Sequence, residues 1–213
     1  MSKVFVAGGS GRVAAELIKN LVADGHKVIA GSRHPESIIK LDGVTPINLD
    51  LHASVEEIAN LMKDTSIVYF VAGSRGKDVL QTDAFGAVKT MQAAEKNGIK
   101  RFVLLSSFFA LQPEKWNEYE LLQSITDYNI AKFFADNYLI HNTHLDYTIL
   151  QPAGLTETPG IGKVTFENYG ETKNPIPDVA KVLADIPKHK NTIGKVIIMT
   201  SGDIPINDAL SKV

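Results

Sequence analysis

The chain opens on a short apolar run, Lys3-Val4-Phe5-Val6-Ala7, with the β-branched and aromatic content of a buried strand. It breaks at Gly8 and resumes with another period. Val13, Leu17, Ile18, Leu21 and Val22 recur at steps of three and four, which places them on one face of a helix. The alternation continues to the end of the chain. Further strands are predicted at residues 27–31, within 44–51, and at 66–72, 101–105, 146–150 and 195–200. A helix is predicted over 54–63, with Ser54 as N-cap beside Glu56 and Glu57, and Val55, Ile58, Ala59 and Met62 facing inward. Another is predicted over 83–97, with Phe85, Val88 and Met91 as its core face and Gly98 as its stop. A long helical region spans 114–141, a short helix lies near 178–185, and a terminal helix starts at Ile206. The runs at 66–72 and 101–105 are almost wholly apolar, as strands covered on both faces must be. No repeat, low-complexity tract or linker interrupts the rhythm. One α/β domain over 1–213 is expected, a doubly wound, mostly parallel sheet with helices on both faces and a short C-terminal extension.

Composition narrows the partners. Hydrophobic residues are 44%, charged residues 22% and the formal net charge is -2, which gives no electrostatic reason to expect nucleic acid or an anionic membrane. The chain has no cysteine, so disulfides, thiol nucleophiles and thiolate metal sites are excluded. A core strand starts almost at once and no apolar run approaches membrane-spanning length, so a cytoplasmic protein is expected.

The first turn carries the chemistry of an anion cradle. Gly8, Gly11 and Ala14 sit three apart between a strand and a helix. That order suits a tight turn at Gly8, a side-chain-free approach at Gly11, and a small residue at Ala14 so that helix and strand pack closely. The helix N-terminus then aims backbone N–H groups at a pyrophosphate, with the Ser10 hydroxyl and the Arg12 charge beside it. The second strand ends in Ser32-Arg33-His34-Pro35, about 20 residues beyond the glycines, where a dinucleotide-binding domain meets the adenosine ribose. A donor and a fixed cation there suit a phosphate monoester, which favours NADP over NAD; the alternative for Arg33 is a solvated turn residue. Asp50 and Leu51 end the third strand, where they could meet adenine, or Asp50 could cap a turn. Gly73-Ser74-Arg75-Gly76 is a second small-residue turn at a strand end.

Tyr128 and Lys132 stand four apart on a helix, within reach of each other. In carbonyl reduction or alcohol oxidation, a phenol transfers the hydroxyl proton and a nearby ammonium lowers its pKa. The same lysine can hold the nicotinamide ribose, and Ser107, just past the fifth strand, can polarise the substrate oxygen. Chance spacing on a helix is the structural alternative for the pair. Phe108, Phe109 and Trp116 are candidates to grip a planar substrate, or to pack their own loop. His141 and His144 lie at a helix exit with no third ligand, so no metal is assigned. Gly160-Ile161-Gly162-Lys163-Val164 has the glycine content of a phosphate loop but no Lys-Ser/Thr pair opening a helix, and reads as a loop or small hairpin.

Taken together, these motifs resemble the short-chain dehydrogenase/reductase superfamily, in particular its small atypical NAD(P)H-binding branch close to NmrA-like proteins and flavin or biliverdin reductase relatives. The matching stretches are Val6-Ala7-Gly8-Gly9-Ser10-Gly11, Ser32-Arg33-His34-Pro35, Asp50-Leu51, Ala72-Gly73-Ser74 and Lys100-Arg101-Phe102-Val103 into Ser106-Ser107. Tyr128 with Lys132, Leu145-Asp146-Tyr147-Thr148-Ile149-Leu150 into Gln151-Pro152, and Asp178-Val179-Ala180 follow in the family's order. The resemblance implies that Gly8, Ser10, Gly11, Arg12 and Val13 line the pyrophosphate loop. It places Arg33 (beside Ser32) at the 2′-phosphate, Asp50 and Leu51 at the adenine, and Ala72, Gly73 and Ser74 at the middle of the cofactor. Ser106, Lys132 and Gln151 complete the cofactor-facing set, and Ser107, Tyr128 and Lys132 the catalytic one. Gln151-Pro152-Ala153 departs from the Arg-Pro-Gly common in the family. The stretch after the sixth strand is short beside the substrate lobe of nucleotide-sugar enzymes, so a small or planar substrate is expected against a segment at about 152–178. The function implied is an NADPH-dependent oxidoreductase of a small carbonyl, quinone or flavin-like acceptor. An NADP-sensing regulator with a protein partner and a small-sugar epimerase are the alternatives.

Overall fold

The protein is described here by a computed structural model covering residues 2–167, 169 and 172–213. Its first half alternates strand and helix except between β2 and β3, which a single 3-10 turn joins: β1 (Lys3–Ala7), α1 (Arg12–Ala23), β2 (Lys27–Ser32), β3 (Val44–Asn48), α2 (Val55–Leu61), β4 (Ile67–Phe70), α3 (Gly86–Lys96) and β5 (Arg101–Leu105). After α4 (Glu120–Gln123), α5 (Thr126–Asn142) and β6 (Asp146–Pro152) come three short strands, β7 (Gly154–Thr156), β8 (Lys163–Thr165) and β9 (Lys173–Pro175). The chain ends with α6 (Ile176–Asp185), β10 (Lys195–Ser201), β11 (Ile204–Pro205) and α7 (Ile206–Leu210).

The main sheet runs β11-β8-β10-β6-β5-β4-β1-β2-β3. Every pairing from β10 to β3 is parallel, and at the far edge β8 runs antiparallel to both of its neighbours, β10 and β11. β7 and β9 form a separate parallel pair. From β1 the chain winds outward to β3, then returns to lay β4 on the other side of β1. That reversal opens a crevice at the carboxyl ends of β1 and β4.

Alternation along the strands decides the two cores. On β1, Val4 and Val6 face the layer of α1 and α6, with Leu17, Ile18, Val179 and Leu183. Phe5 and Ala7 face the opposite layer, with Ile58, Met62, Met91 and Leu139 from α2, α3 and α5. Both faces are therefore buried, which is why the strands read as continuous apolar runs. Ser54 caps α2 as expected, accepting from Glu57 N–H while Glu57 reaches back to the Ser54 N–H.

Two expectations change. The helix predicted over 83–97 starts at Gly86, because Val79–Phe85 forms a wider π-helical turn. The altered winding rotates Phe85 out of the core to 51% exposure, and Lys89 Nζ lies 5.0 Å from its ring. Met91 is buried as expected, joined by Ala87 and Ala94, while Val88 is only half-buried. The region predicted as helical over 114–141 is three pieces, a 3-10 stretch at Pro113–Glu118, then α4 and α5. The glycine-rich stretch at 160–164 is a loop entering β8. Its Ile161 and Gly162 N–H groups donate to the Asp178 carboxylate, both at 2.9 Å, so those donors serve the chain itself.

The turn after β1 is the tightest point of the sheet. Gly8 has φ +94, and a Cβ there would lie 2.5 Å from the Ala72 Cα, just beyond the end of β4. Gly8→Ala therefore combines left-handed strain with a backbone clash, and should destabilise the fold by about 3 kcal/mol in urea unfolding. Ser54→Ala, which removes only a cap, should cost about 1 kcal/mol in the same assay.

Candidate functional site

The crevice predicted by the strand reversal is a groove of about 600 Å³. Gly8, Ser10, Gly11, Arg12 and Val13 form its floor at the start of α1. No side chain caps α1, so its first-turn N–H groups remain available to an anion. The cradle is held from behind, because Gly31 C=O accepts from both Gly8 N–H (2.9 Å) and Gly9 N–H (2.8 Å). Ser10 Oγ meets Ser32 Oγ at 2.7 Å, which ties the first turn to the end of β2. A pyrophosphate fits this arrangement: a glycine turn that admits no Cβ, followed by uncapped donors. Ala72, Gly73 and Ser74 form the opposite wall as expected.

Gly9 was not singled out by the fingerprint reading, yet a Cβ there would stand 2.9 Å from the Ala30 Cβ. Arg12 borders the groove but its guanidinium donates to Glu157 at 2.7 Å, reaching across to the segment after β6. Both side chains are largely exposed, so the pair is weak and an anion in the groove competes for Arg12.

Ser32 and Arg33, expected to meet the adenosine ribose, line the groove at the end of β2, and His34, His52, Arg75 and Lys77 line it with them. Sequence reasoning missed His52, Arg75 and Lys77, because the strand reversal alone brings the turns after β3 and β4 beside the end of β2. His52 Nε2 meets Asp78 Oδ2 at 2.6 Å, and Thr82 Oγ1 donates to the same oxygen. These bonds hold the Asp78 carboxyl below the usual range, Thr82 contributing most. Asp50 is the correction here. Its side chain is exposed and Oδ1 accepts the His52 N–H at 2.9 Å, so it caps the turn, while Leu49 and Leu51 supply the groove wall.

The far end holds the predicted catalytic residues. A second, mostly apolar cavity of about 210 Å³ opens beside the groove, and Leu105, Tyr128 and Leu155 line both. Lys132 is buried behind Tyr128, with Nζ 5.5 Å from the Tyr128 ring centroid and donating to Leu105 C=O at 3.1 Å. Burial pushes the Tyr128 phenol up; the Lys132 ammonium pulls it back, and Asp83 and Asp136 push it further up. Ser107 lines the small cavity, but its hydroxyl donates to Asn129 Oδ1 at 2.9 Å. Asn129 is fixed in turn by donating to Leu122 C=O. The Ser107 hydroxyl proton is thus committed to Asn129. Asn129 is a member of the site that its spacing did not reveal.

Of the three aromatics considered for substrate, only Phe108 lines the small cavity. Phe109 and Trp116 pack the loop instead: Phe108 and Phe109 cluster with Tyr119 and Tyr169, and Trp116 Nε1 donates to Phe109 C=O at 2.9 Å. These contacts hold Phe109 at φ +52, a strained conformation for a bulky residue, two positions after Ser107.

Ser106 and Gln151, expected to face the cofactor, do not line the groove, although Ser106 borders the small cavity. Both are buried, and Ser106 Oγ (2.7 Å) and Gln151 Nε2 (2.9 Å) donate to the same Asp136 Oδ2. Asp136, one turn beyond Lys132 on α5, engages both donors. Burial raises the Asp136 carboxyl to about 7, against the opposing pull of Ser106, Gln151 and Lys132. Among the described residues no group of three or more His, Asp or Glu side chains could hold a metal ion. No helix among them is long and apolar enough to cross a membrane.

The family follows from comparison. A model described as NAD(P)H-binding matches residues 8–190, so the chain belongs to this NAD(P)H-binding family. It is 34% identical over 99% of both chains to a Bacillus subtilis protein named as an uncharacterised sugar epimerase. The solved oxidoreductase YlbE of Lactococcus lactis is 40% identical, with TM-score 0.95 over 99% of this chain and 96% of its own. ChuY, an anaerobilin reductase of Escherichia coli, shares the fold at 22% identity and TM-score 0.80, over 95% of this chain and 98% of that one. The chain is thus an NAD(P)H-binding protein with a Rossmann fold, similar both to a solved oxidoreductase and to a protein named as a sugar epimerase.

The raised Asp136 pKa makes a stability prediction. A carboxyl raised in the folded state favours folding below its unfolded pKa, and that contribution is lost as pH rises through the folded value. Between pH 4 and about 7, wild type should lose stability relative to Asp136→Asn by a few kcal/mol, read by urea unfolding at each pH.

Proposed function

We propose that this protein is an NADPH-dependent oxidoreductase of a small, largely apolar acceptor such as a carbonyl, quinone or flavin-like ring. The observation that carries this reading is the position of Tyr128, which belongs at once to the wall of the dinucleotide groove and to that of the 210 Å³ cavity. A group placed there meets both the reactive end of a bound dinucleotide and a substrate lying against it. The bound nicotinamide supplies the hydride. Tyr128 supplies the proton to the substrate oxygen, and Lys132 stabilises the phenolate left behind. Ser107, released from Asn129, orients that oxygen.

The preference for NADPH rests on the groove's charge. Arg12, Arg33, Arg75 and Lys77 line it, and none of its described lining residues is a carboxylate, in a chain whose net charge is -2. Positive charge concentrated in one cleft of a slightly acidic protein favours the more highly phosphorylated dinucleotide. The walls of the small cavity, including Leu105, Phe108, Leu122 and Ile125, favour a planar or aliphatic substrate. A sugar would leave several hydroxyls there without partners, at a cost for each. The name of the Bacillus subtilis relative favours a second reading, an epimerase that retains its dinucleotide. Such an enzyme would show no net NADPH consumption.

Two measurements test the proposal. Tyr128→Phe should lower turnover of an accepted carbonyl or quinone by about 10²- to 10⁴-fold while leaving NADPH affinity nearly intact. Unchanged turnover would remove the tyrosine from the chemistry. In a fluorescence titration, Arg33→Ala should weaken NADPH by about 10- to 100-fold and NADH far less, the loss of one charge-assisted contact. Equal losses for the two dinucleotides would mean that Arg33 does not meet the 2′-phosphate.

A further inference from the structure

The strongest feature outside the steps described so far is the carboxyl of Asp136. The residue is fully buried, and its Oδ2 accepts from both Ser106 and Gln151 while its Oδ1 accepts no hydrogen bond among the described residues. An ionised carboxylate so placed is costly, because two donors converge on one oxygen and the other is buried without a protein donor among the described residues. A site with no use for the charge would hold an apolar residue or an amide. On α5, Tyr128, Lys132 and Asp136 follow one another at steps of four and so share one face of the helix.

We propose that Asp136 is a positioning residue for the Tyr128–Lys132 pair, acting as the buried counter-charge of Lys132 and keeping the proton on Tyr128. This deepens the reductase reading and rests on it for its catalytic meaning. Two paths lead from Asp136 to the pair. The first is mechanical: through Ser106 and Gln151 the carboxylate clamps the carboxyl ends of β5 and β6 together. The end of β5 carries Leu105 C=O, which holds Lys132 Nζ, and the next residues are Ser106 and Ser107. The second path is electrostatic. The Lys132 charge attracts a negative Asp136, which in turn directly opposes ionisation of Tyr128. The charged groups acting on these two residues are few. Lys132 on α5 acts on both, and Asp83 on the turn before α3 acts on Tyr128, while β5 and β6 present the uncharged Ser106 and Gln151.

The sign follows from these charges. With Asp136 ionised, Tyr128 keeps its proton to higher pH, the form a proton donor needs. With Asp136 neutral, the Lys132 ammonium acts on Tyr128 with one opposing charge fewer, and the phenol ionises at lower pH.

The test reads the two groups directly and needs neither substrate nor cofactor. Tyrosine ring carbon signals are followed by NMR through a pH titration of the whole chain, with Tyr128 identified by its loss in Tyr128→Phe. In wild type, the Tyr128 signal should show an inflection near neutrality coinciding with the titration of the Asp136 carboxyl carbon. In Asp136→Asn that inflection should vanish and the phenol's own ionisation should move to lower pH. A folded Asp136→Asn protein whose Tyr128 titration matches wild type would overturn the proposal. If the variant does not fold, the wild-type measurement decides alone, and a Tyr128 signal indifferent to Asp136 overturns it equally. Because no turnover is measured, coupling can be established or refuted whether or not the protein reduces a carbonyl. Conversely, an active reductase without the coupling would sink this inference and leave the reductase reading standing.

Discussion

The contact between Gly8 and Ala72 is the constraint on which the rest of the site depends. β1 and β4 are neighbours in the sheet but their exits diverge, one into α1 and the other toward the π-helical turn. They can approach closely at that point only because Gly8 has no Cβ and adopts a positive φ. Separating the exits would move the uncapped end of α1 away from Ala72, Gly73 and Ser74, and the groove would lose one wall. The Gly31 carbonyl, taking the N–H groups of both Gly8 and Gly9, fixes the same turn from the β2 side.

α5 imposes a second constraint, and it runs against ordinary packing. It buries Asn129, Lys132 and Asp136 while leaving Phe134 exposed at 61% and Ile130 at 37%. A helix that turns polar groups inward forfeits apolar burial, and the polar groups must be paired to be tolerated. Most are paired, Asn129 with Ser107 and Leu122, Lys132 with Leu105, and Asp136 with Ser106 and Gln151. The arrangement gives up stability for a fixed set of polar groups beneath Tyr128, the usual relation between a functional site and its scaffold. The strained Phe109 beside Ser107 belongs to the same pattern.

The two ends of the groove are built by different means. Around Arg33 and Arg75 the protein presents long, exposed cations on turns, which act through charge and tolerate imprecise placement. Around Tyr128 it presents short or buried groups, among them Ser107, Asn129 and Lys132, each fixed by a hydrogen bond. Arg12 lies between the two, close to the pyrophosphate cradle yet paired with Glu157 from the segment after β6.

The sequence by itself determined the layered α/β architecture. Period-two and period-3.6 patterns are local, and the unbroken apolar strands could be buried only between two helical layers. It also located the glycine turn at the start of α1, because glycine there answers a backbone requirement within one βα unit. The Ser54 cap and the Tyr128–Lys132 pair were equally legible, each being contained within a single turn or helix. Tertiary structure decided whatever depended on residues distant in the chain. It turned Phe85 outward through a π-helical turn, assigned Asp50 to a cap, and brought His52, Arg75 and Lys77 to the groove. It engaged Ser106 and Gln151 with Asp136, whose neighbours come from two strands and a helix. A side chain's spacing fixes the face it shares with its own element; which partner waits opposite is set by the order of strands in the sheet.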